Sequence, residues 1–95
     1  MSLRNNDYAR ALRVIRERRQ ETLDDVSVRL AKLGYPMSVQ VLHKTETGKR
    51  RILLQDVEPL CLALRVGVGD LFRFADQIAE IERSIDAISL GDEES

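Results

Sequence analysis

The amino-acid sequence predicts an all-α protein with a single core. Apolar residues recur at spacings of three and four along most of the 95 residues, the period of helices buried on one face. The chain has four aromatic residues and no Trp, so Leu, Ile and Val must build the core. The one apolar run that could be extended, RILLQDV at 51–57, is too isolated to form a sheet.

The first helix is predicted over residues 6–19. Asn5, Asn6 and Asp7 are residue types that cap helix N-termini, and apolar residues follow at positions i, i+3, i+4 and i+7. These apolar residues are Tyr8, Ala11, Leu12 and Ile15. The opposite face is rich in arginine.

Two shorter helices follow. Thr22 and Asp25 predict a capping box at the start of the second helix, and Gly34 with Pro36 predicts its end. Ser38 caps a third helix that Gly48 terminates. Its faces differ: one carries Leu42 and Thr45 and is expected to face the core, and the other carries Val39, Gln40, His43 and Lys44.

The last two helices are predicted from a proline and from a repeat of isoleucines. The fourth helix is expected to begin near Asp56, because Pro59 is tolerated only in a first turn. Asp70 opens a fifth helix whose apolar residues alternate spacings of three and four, as in a short coiled-coil seam. The predicted units are residues 1–72 as one domain, 73–90 as a C-terminal helix and 91–95 as a disordered acidic tail.

Charge is distributed unevenly along the chain. Residues 1–51 hold 12 Lys and Arg against 6 Asp and Glu, whereas residues 52–95 hold 3 against 10. Such asymmetry favours a polyanion-binding face in the first half, the alternative being arginines that only solvate helices.

Several classes of function are not expected. His43 is the only histidine, so no metal site is predicted, and Cys61 lies on an apolar face as a buried structural thiol. The residues form no nucleophile and base motif and no glycine-rich phosphate loop, so we expect no enzyme, no cofactor and no small-molecule ligand. Without an apolar run of about 18–20 residues or a secretory signal, a cytoplasmic protein with no membrane segment is expected.

The order of these helices resembles the lambda-repressor-like (XRE/Cro-type) helix-turn-helix family. The segments that carry the resemblance are ALRVIRERRQETLDDVSVRL, MSVQVLHKTETGKRR and LCLALRVGVGDLF, across residues 8–72. The longer connection AKLGYPMS is similar to an actinobacterial and phage variant. This chain departs from the family's usual pattern at Leu23, Thr45 and Arg65. The family commonly has a glutamine, an aliphatic residue and a glycine at these positions.

The resemblance implies double-stranded DNA as the partner, with the helix at 38–47 in the major groove. The implied base-reading residues are Val39, Gln40, Val41, His43 and Lys44. The implied phosphate contacts are Thr22, Leu23, Ser38, Lys49, Arg50 and Arg51. Arg16 and Glu46 match positions that form a structural ion pair in the family.

The C-terminal seam has two interpretations. Its residues Phe74, Ile78, Ile81, Ile85 and Ile88 either fold back on the domain or pair with a second copy, and pairing is the expectation because the isoleucines extend past the minimal domain. The sequence therefore predicts a homodimeric transcriptional regulator, in the first place a repressor on a palindromic operator. The alternative is an adaptor or antitoxin-like regulator that binds a protein partner through its acidic C-terminal helix.

Overall fold

In the computed structural model, the backbone is described for residues 4–94 and the side chains for residues 4–86. This part of the chain forms five α-helices and no strand, so the all-α prediction is confirmed. The helices are α1 (Asn5–Arg18), α2 (Leu23–Lys32), α3 (Val39–Glu46), α4 (Leu54–Leu64) and α5 (Val68–Glu94). None of the described helices has the length and apolar content to cross a membrane.

A single core joins all five helices. α1 and α5 pack along each other, and α2 contacts both α3 and α4. The core side chains are small or aliphatic; the most buried include Ala11, Leu12, Val26, Leu30, Leu42, Leu60, Ala63, Leu64, Leu71 and Ala75. Cys61 is buried among them, and this burial raises the pKa of its thiol, as expected of a structural cysteine.

Helices α1, α2 and α4 end in the same Schellman geometry, which needs one residue in the left-handed conformation. After α2 that residue is Gly34 (φ 81°), and the amide of Tyr35 donates to the Leu30 carbonyl at 3.0 Å. After α1 and α4 the same position is held by Gln20 (φ 56°) and Arg65 (φ 57°). Two of the three turns therefore place a side chain where glycine is less strained.

Arg65→Gly is expected to raise the free energy of unfolding by about 0.5–1 kcal/mol, because relief of left-handed strain exceeds the entropy that glycine adds to the unfolded chain. The carbonyl of Arg65, which accepts from Arg19 Nη2 at 3.0 Å, is retained in the variant. Urea unfolding measures the change. Gly34→Ala is the matched control of opposite sign: no atom lies within 4 Å of an added Cβ, so only backbone strain should lower its stability.

Two predicted helix starts are wrong by two residues. α4 begins at Leu54, so Pro59 lies in its interior. The Asp56 side chain accepts from the amide of Leu53 at 2.8 Å and thereby fixes the earlier start. α5 begins at Val68, with the Gly67 carbonyl accepting from the amide of Leu71.

The residues of the predicted C-terminal seam fall into two groups, one packed on the core and one exposed. Phe74 and Ile78 pack against the domain's own core, with the Arg18 guanidinium carbon 5.3 Å from the Phe74 ring centroid. Their assignment to a dimer contact is therefore corrected. Ile81 and Ile85 remain 59% and 56% exposed.

α5 runs unbroken across the predicted boundary at residue 72. Beyond that boundary it still packs on α1, where Arg10 pairs with Glu82. Its helical backbone reaches Glu94, so the predicted disordered tail at 91–95 is helical as far as it is described. The side chain of Ile88 and residue 95 lie outside the described residues.

Candidate nucleic-acid interface

α3 is fixed to the domain through one face. Ser38 caps the helix by accepting from the amide of Val41 at 3.2 Å. Leu42 and Thr45 are buried, as predicted, and the Thr45 hydroxyl donates to the Val41 carbonyl at 2.8 Å. The hydroxyl is thus accommodated in the core without an unpaired polar atom.

An ion pair joins α3 to α1. Arg16 Nε donates to Glu46 Oε2 at 2.8 Å, and Nη2 donates to Oε1 at 2.9 Å. The two side chains are only 14% and 9% exposed. The expected pair is therefore present as a two-pronged, largely buried contact. Hydrogen bonding to Glu46 raises the pKa of Arg16.

The opposite face of α3 is open. Gln40, His43 and Lys44 are exposed, and Val39 is half-buried beside them. Val41 packs partly against the core, so it contributes more to packing than to this surface. Ser38 is also exposed and its hydroxyl hydrogen remains able to donate.

After α3, the chain at 49–52 alternates between outward and inward side chains. Lys49 and Arg51 are exposed and make no ion pair with any described residue. Arg50 turns inward, and the amide of Ile52 donates to Asn5 Oδ1 at 2.8 Å, which ties this segment to the start of α1. Of the three consecutive cations, two are therefore exposed and one is turned inward.

Asp56 is the reason that Arg50 turns inward. Its fully buried carboxylate accepts from Arg50 Nη1 at 2.9 Å, from the Leu53 amide at 2.8 Å and from the Tyr35 hydroxyl. Arg50 Nη1 also reaches Thr45 Oγ1 at 3.4 Å. The prediction of Arg50 as a phosphate contact is corrected, because its guanidinium turns inward and joins Thr45 of α3 to Asp56 of α4.

The electrostatics of Asp56 follow from these contacts. Burial raises the pKa of its carboxyl, but the hydrogen bonds from Tyr35, Leu53 and Arg50 outweigh burial, and the pKa lies below its usual value. Hydrogen bonding to Asp56 raises the pKa of the Tyr35 hydroxyl. The site therefore holds a charged carboxylate at neutral pH.

The predicted phosphate site at the start of α2 is also corrected. The amide of Thr22 donates to Asp25 Oδ2 at 2.9 Å, and Thr22 Oγ1 accepts from the Asp25 amide at 3.1 Å. Asp24 and Asp25 place two exposed carboxylates at this helix end, and the Leu23 side chain packs against the core. A phosphate here would meet negative charge and an amide already in use.

Cations converge instead between the start of α1 and the segment after α3. A cleft of about 370 Å³ is lined by Arg4, Lys49 and Arg51, together with Asn5, Asn6 and Gly48. Gly48 has φ 79°, and an added Cβ would clash with the Asn6 side chain, so glycine allows the two segments to approach. Sequence reasoning missed Arg4, since tertiary contacts such as the bond between Asn5 and Ile52 bring the start of α1 to this place.

In the described part of the chain, no three His, Cys, Asp or Glu side chains are grouped as metal ligands. In comparisons with known proteins, no family model, no curated protein and no solved structure matches this chain.

Proposed function

We propose that this protein is a sequence-specific DNA-binding transcriptional regulator that acts as a homodimer, with the exposed face of α3 in the major groove. The regulatory action that we infer is repression by occupying a promoter. Gln40 offers the donor and acceptor pair that reads adenine, and Lys44 offers a donor to guanine. Val39 offers a methyl-bearing side chain for thymine.

One observation carries the proposal. α3 is fixed from behind by Leu42, Thr45 and Glu46, while its front presents uncommitted polar side chains next to a cleft lined by three cations. A rigid helix with an open polar face supplies base contacts, and neighbouring unpaired cations supply phosphate contacts that fix register. A helix that is merely exposed to solvent would need neither the rigid support from behind nor the neighbouring unpaired cations.

The proposal includes two copies because one α3 of eight residues reaches few base pairs. Two copies related by a two-fold axis double the contacts and read half-sites about 34 Å apart on one face of the DNA. The expected operator is therefore an inverted repeat.

Selection from random-sequence duplexes, followed by mobility shifts at several salt concentrations, tests the proposal. We expect an inverted-repeat site and an affinity that falls steeply with salt, because each neutralised phosphate releases a counterion. Selection of no site together with retention that is independent of salt would refute it.

Base and phosphate contacts should respond differently to substitution. Gln40→Ala should cost roughly 1–3 kcal/mol of discrimination at one base position in each half-site, since a bidentate contact is lost. Lys49→Ala should weaken binding to all sequences alike and make the salt slope shallower by about one per copy. Gln55→Ala on α4 and Arg83→Ala on α5 are matched controls; the reverse pattern would show that α3 faces the wrong way in this proposal.

An adaptor function is the second candidate, and it is favoured by a different observation. Ile81 and Ile85 lie one turn apart on α5 and are both more than half exposed, on a helix whose charged residues are mainly acidic. Such a surface suits a protein partner. Under this alternative, Gln40→Ala and Lys49→Ala leave the function intact and Ile81→Asp removes it.

A further inference from the structure

An apolar groove lies between α1, α4 and the start of α5. Its volume is about 440 Å³. Apolar side chains dominate its lining; they are Tyr8, Leu12, Ile52, Leu54, Val57, Leu60, Leu71 and Phe72. Asn5 and Arg51 are the polar residues at its edge. The groove is separate from the exposed face of α3.

Leu54 stands on the rim of this groove. It is the first residue of α4 and is 92% exposed. Leu53 and Phe72 are also exposed, at 42% and 44%. A leucine in this position contributes little to the core of its own domain, and Leu54 and Phe72 line the same groove with exposed apolar surface. Patches of this kind mark contact surfaces.

We propose that the groove is the contact surface between two copies of this chain, each inserting Leu54 into the groove of the other. The projection and the groove belong to the same patch, so the contact is self-complementary and closes as a two-fold dimer. This inference deepens the proposed function, and its consequence for DNA rests on that function.

Charge supports the choice of a second copy as the occupant. Arg51 lies on one edge of the groove, and Glu58 lies one helical turn beyond Leu54 on the same face of α4. Both are exposed, and neither has an ion-pair partner among the described residues. When Leu54 enters the facing groove, each copy presents Glu58 towards Arg51 of the other, giving two equivalent pairs.

The location of Arg51 connects this contact to the cationic cleft. Arg51 lines both the groove and the cleft that contains Arg4 and Lys49. Pairing through the groove therefore places the cationic clefts of the two copies side by side. Ile81 and Ile85 are exposed as well, but they line neither the apolar groove nor the cationic cleft.

Sedimentation equilibrium without DNA tests the contact through two substitutions on one helix. Wild-type protein should sediment at about twice its chain mass of 10.8 kDa. Leu54→Asp should weaken the dimer at least about tenfold, because the inserted side chain is lost from the centre of the interface. Leu62→Asp, at a residue 57% exposed on α4 but outside the groove, should remain dimeric.

Loss of the dimer in Leu54→Asp can be distinguished from loss of the fold. Aspartate at the first turn of α4 is favourable to the helix, so Leu54→Asp should keep its circular dichroism spectrum and urea midpoint. A charge exchange gives a second readout: Arg51→Glu or Glu58→Arg alone should weaken the dimer, and the two together should restore it.

The outcomes are distinct. A dimeric Leu54→Asp variant, or a wild-type monomer at about 100 µM, overturns the groove contact. A monomeric Ile81→Asp variant with dimeric Leu54→Asp would instead place the contact on the C-terminal helix. A dimer contact on another surface leaves the DNA proposal standing, because selection of an operator and the effect of Gln40→Ala are measured separately. A wild-type monomer removes the homodimer from the proposed function as well, and operator selection then tests DNA reading by itself.

Discussion

Asp56→Asn is expected to lower the free energy of unfolding by about 3 kcal/mol, because it leaves the partly buried charge of Arg50 without its partner. The asparagine keeps the shape but removes the charge that pairs with Arg50. Its NH2 group replaces one of the two oxygens, so the side chain loses either the hydrogen bond from Tyr35 or those from Arg50 and Leu53. The loss should appear as a lower urea midpoint with an unchanged slope, because the helices themselves remain.

The same residue should make stability depend on acid. The folded-state pKa of Asp56 lies below its unfolded value, which is about 3.9, so the carboxylate stabilises the fold above that pH. This contribution is lost as the pH falls through the folded pKa. Wild-type protein should therefore lose stability between about pH 5 and pH 2 more steeply than Asp56→Asn, which carries no titrating group there.

Asp76→Asn is the matched control, because Asp76 is an exposed carboxylate on α5 with no described ion-pair partner. It should change the urea midpoint at pH 7 by less than about 0.5 kcal/mol. Equal effects of the two substitutions would mean that the Asp56 contacts add nothing to stability. A parallel acid response of wild type and Asp56→Asn would contradict the pKa argument.

The Asp56 contacts also show a limit of sequence reasoning. Lys49, Arg50 and Arg51 are alike in sequence, and all three were predicted to hold phosphates. Their roles differ because Lys49 and Arg51 are exposed, and because a buried carboxylate from the next helix faces only Arg50. Neither fact is visible in a charge count, whereas the helices themselves follow from apolar spacing and from caps at Thr22 and Ser38.

The apolar seam of α5 shows a second limit. Spacings of three and four correctly indicated which face of the helix is apolar. They could not indicate what covers it, because α1 of the same domain and a helix of another copy offer equivalent surfaces. Phe74 and Ile78 pack against the domain's own core, and only the later isoleucines are left exposed.

The pair of Arg16 and Glu46 was expected from the family resemblance, and its contribution to stability follows from its burial. Removing either partner alone leaves a largely buried charge without compensation, so Arg16→Met and Glu46→Met should each lower the free energy of unfolding by about 3 kcal/mol. Arg16 Nη1 also donates to the Glu21 carbonyl at 2.8 Å, so its loss affects the turn after α1 as well.

A double-mutant cycle separates the pair from these other contacts. The doubly substituted protein should be more stable than the sum of the single changes allows, with a coupling energy of about 2 kcal/mol in urea unfolding. Arg13 and Glu17 provide a matched cycle on the same helix: their closest approach is 3.5 Å, and both are more than half exposed. That surface pair should show a coupling of only about 0.3–0.5 kcal/mol.

The cycle bears on the proposed DNA binding because Glu46 is the last residue of α3, whereas the exposed side chains Gln40, His43 and Lys44 are untouched by these substitutions. If the pair orients α3, Glu46→Met should weaken binding to every operator variant without changing which base is preferred. Preference at a base position should move only with Gln40→Ala. A changed base preference in Glu46→Met, with normal stability, would instead make Glu46 a direct contact and contradict its role as the support of this helix.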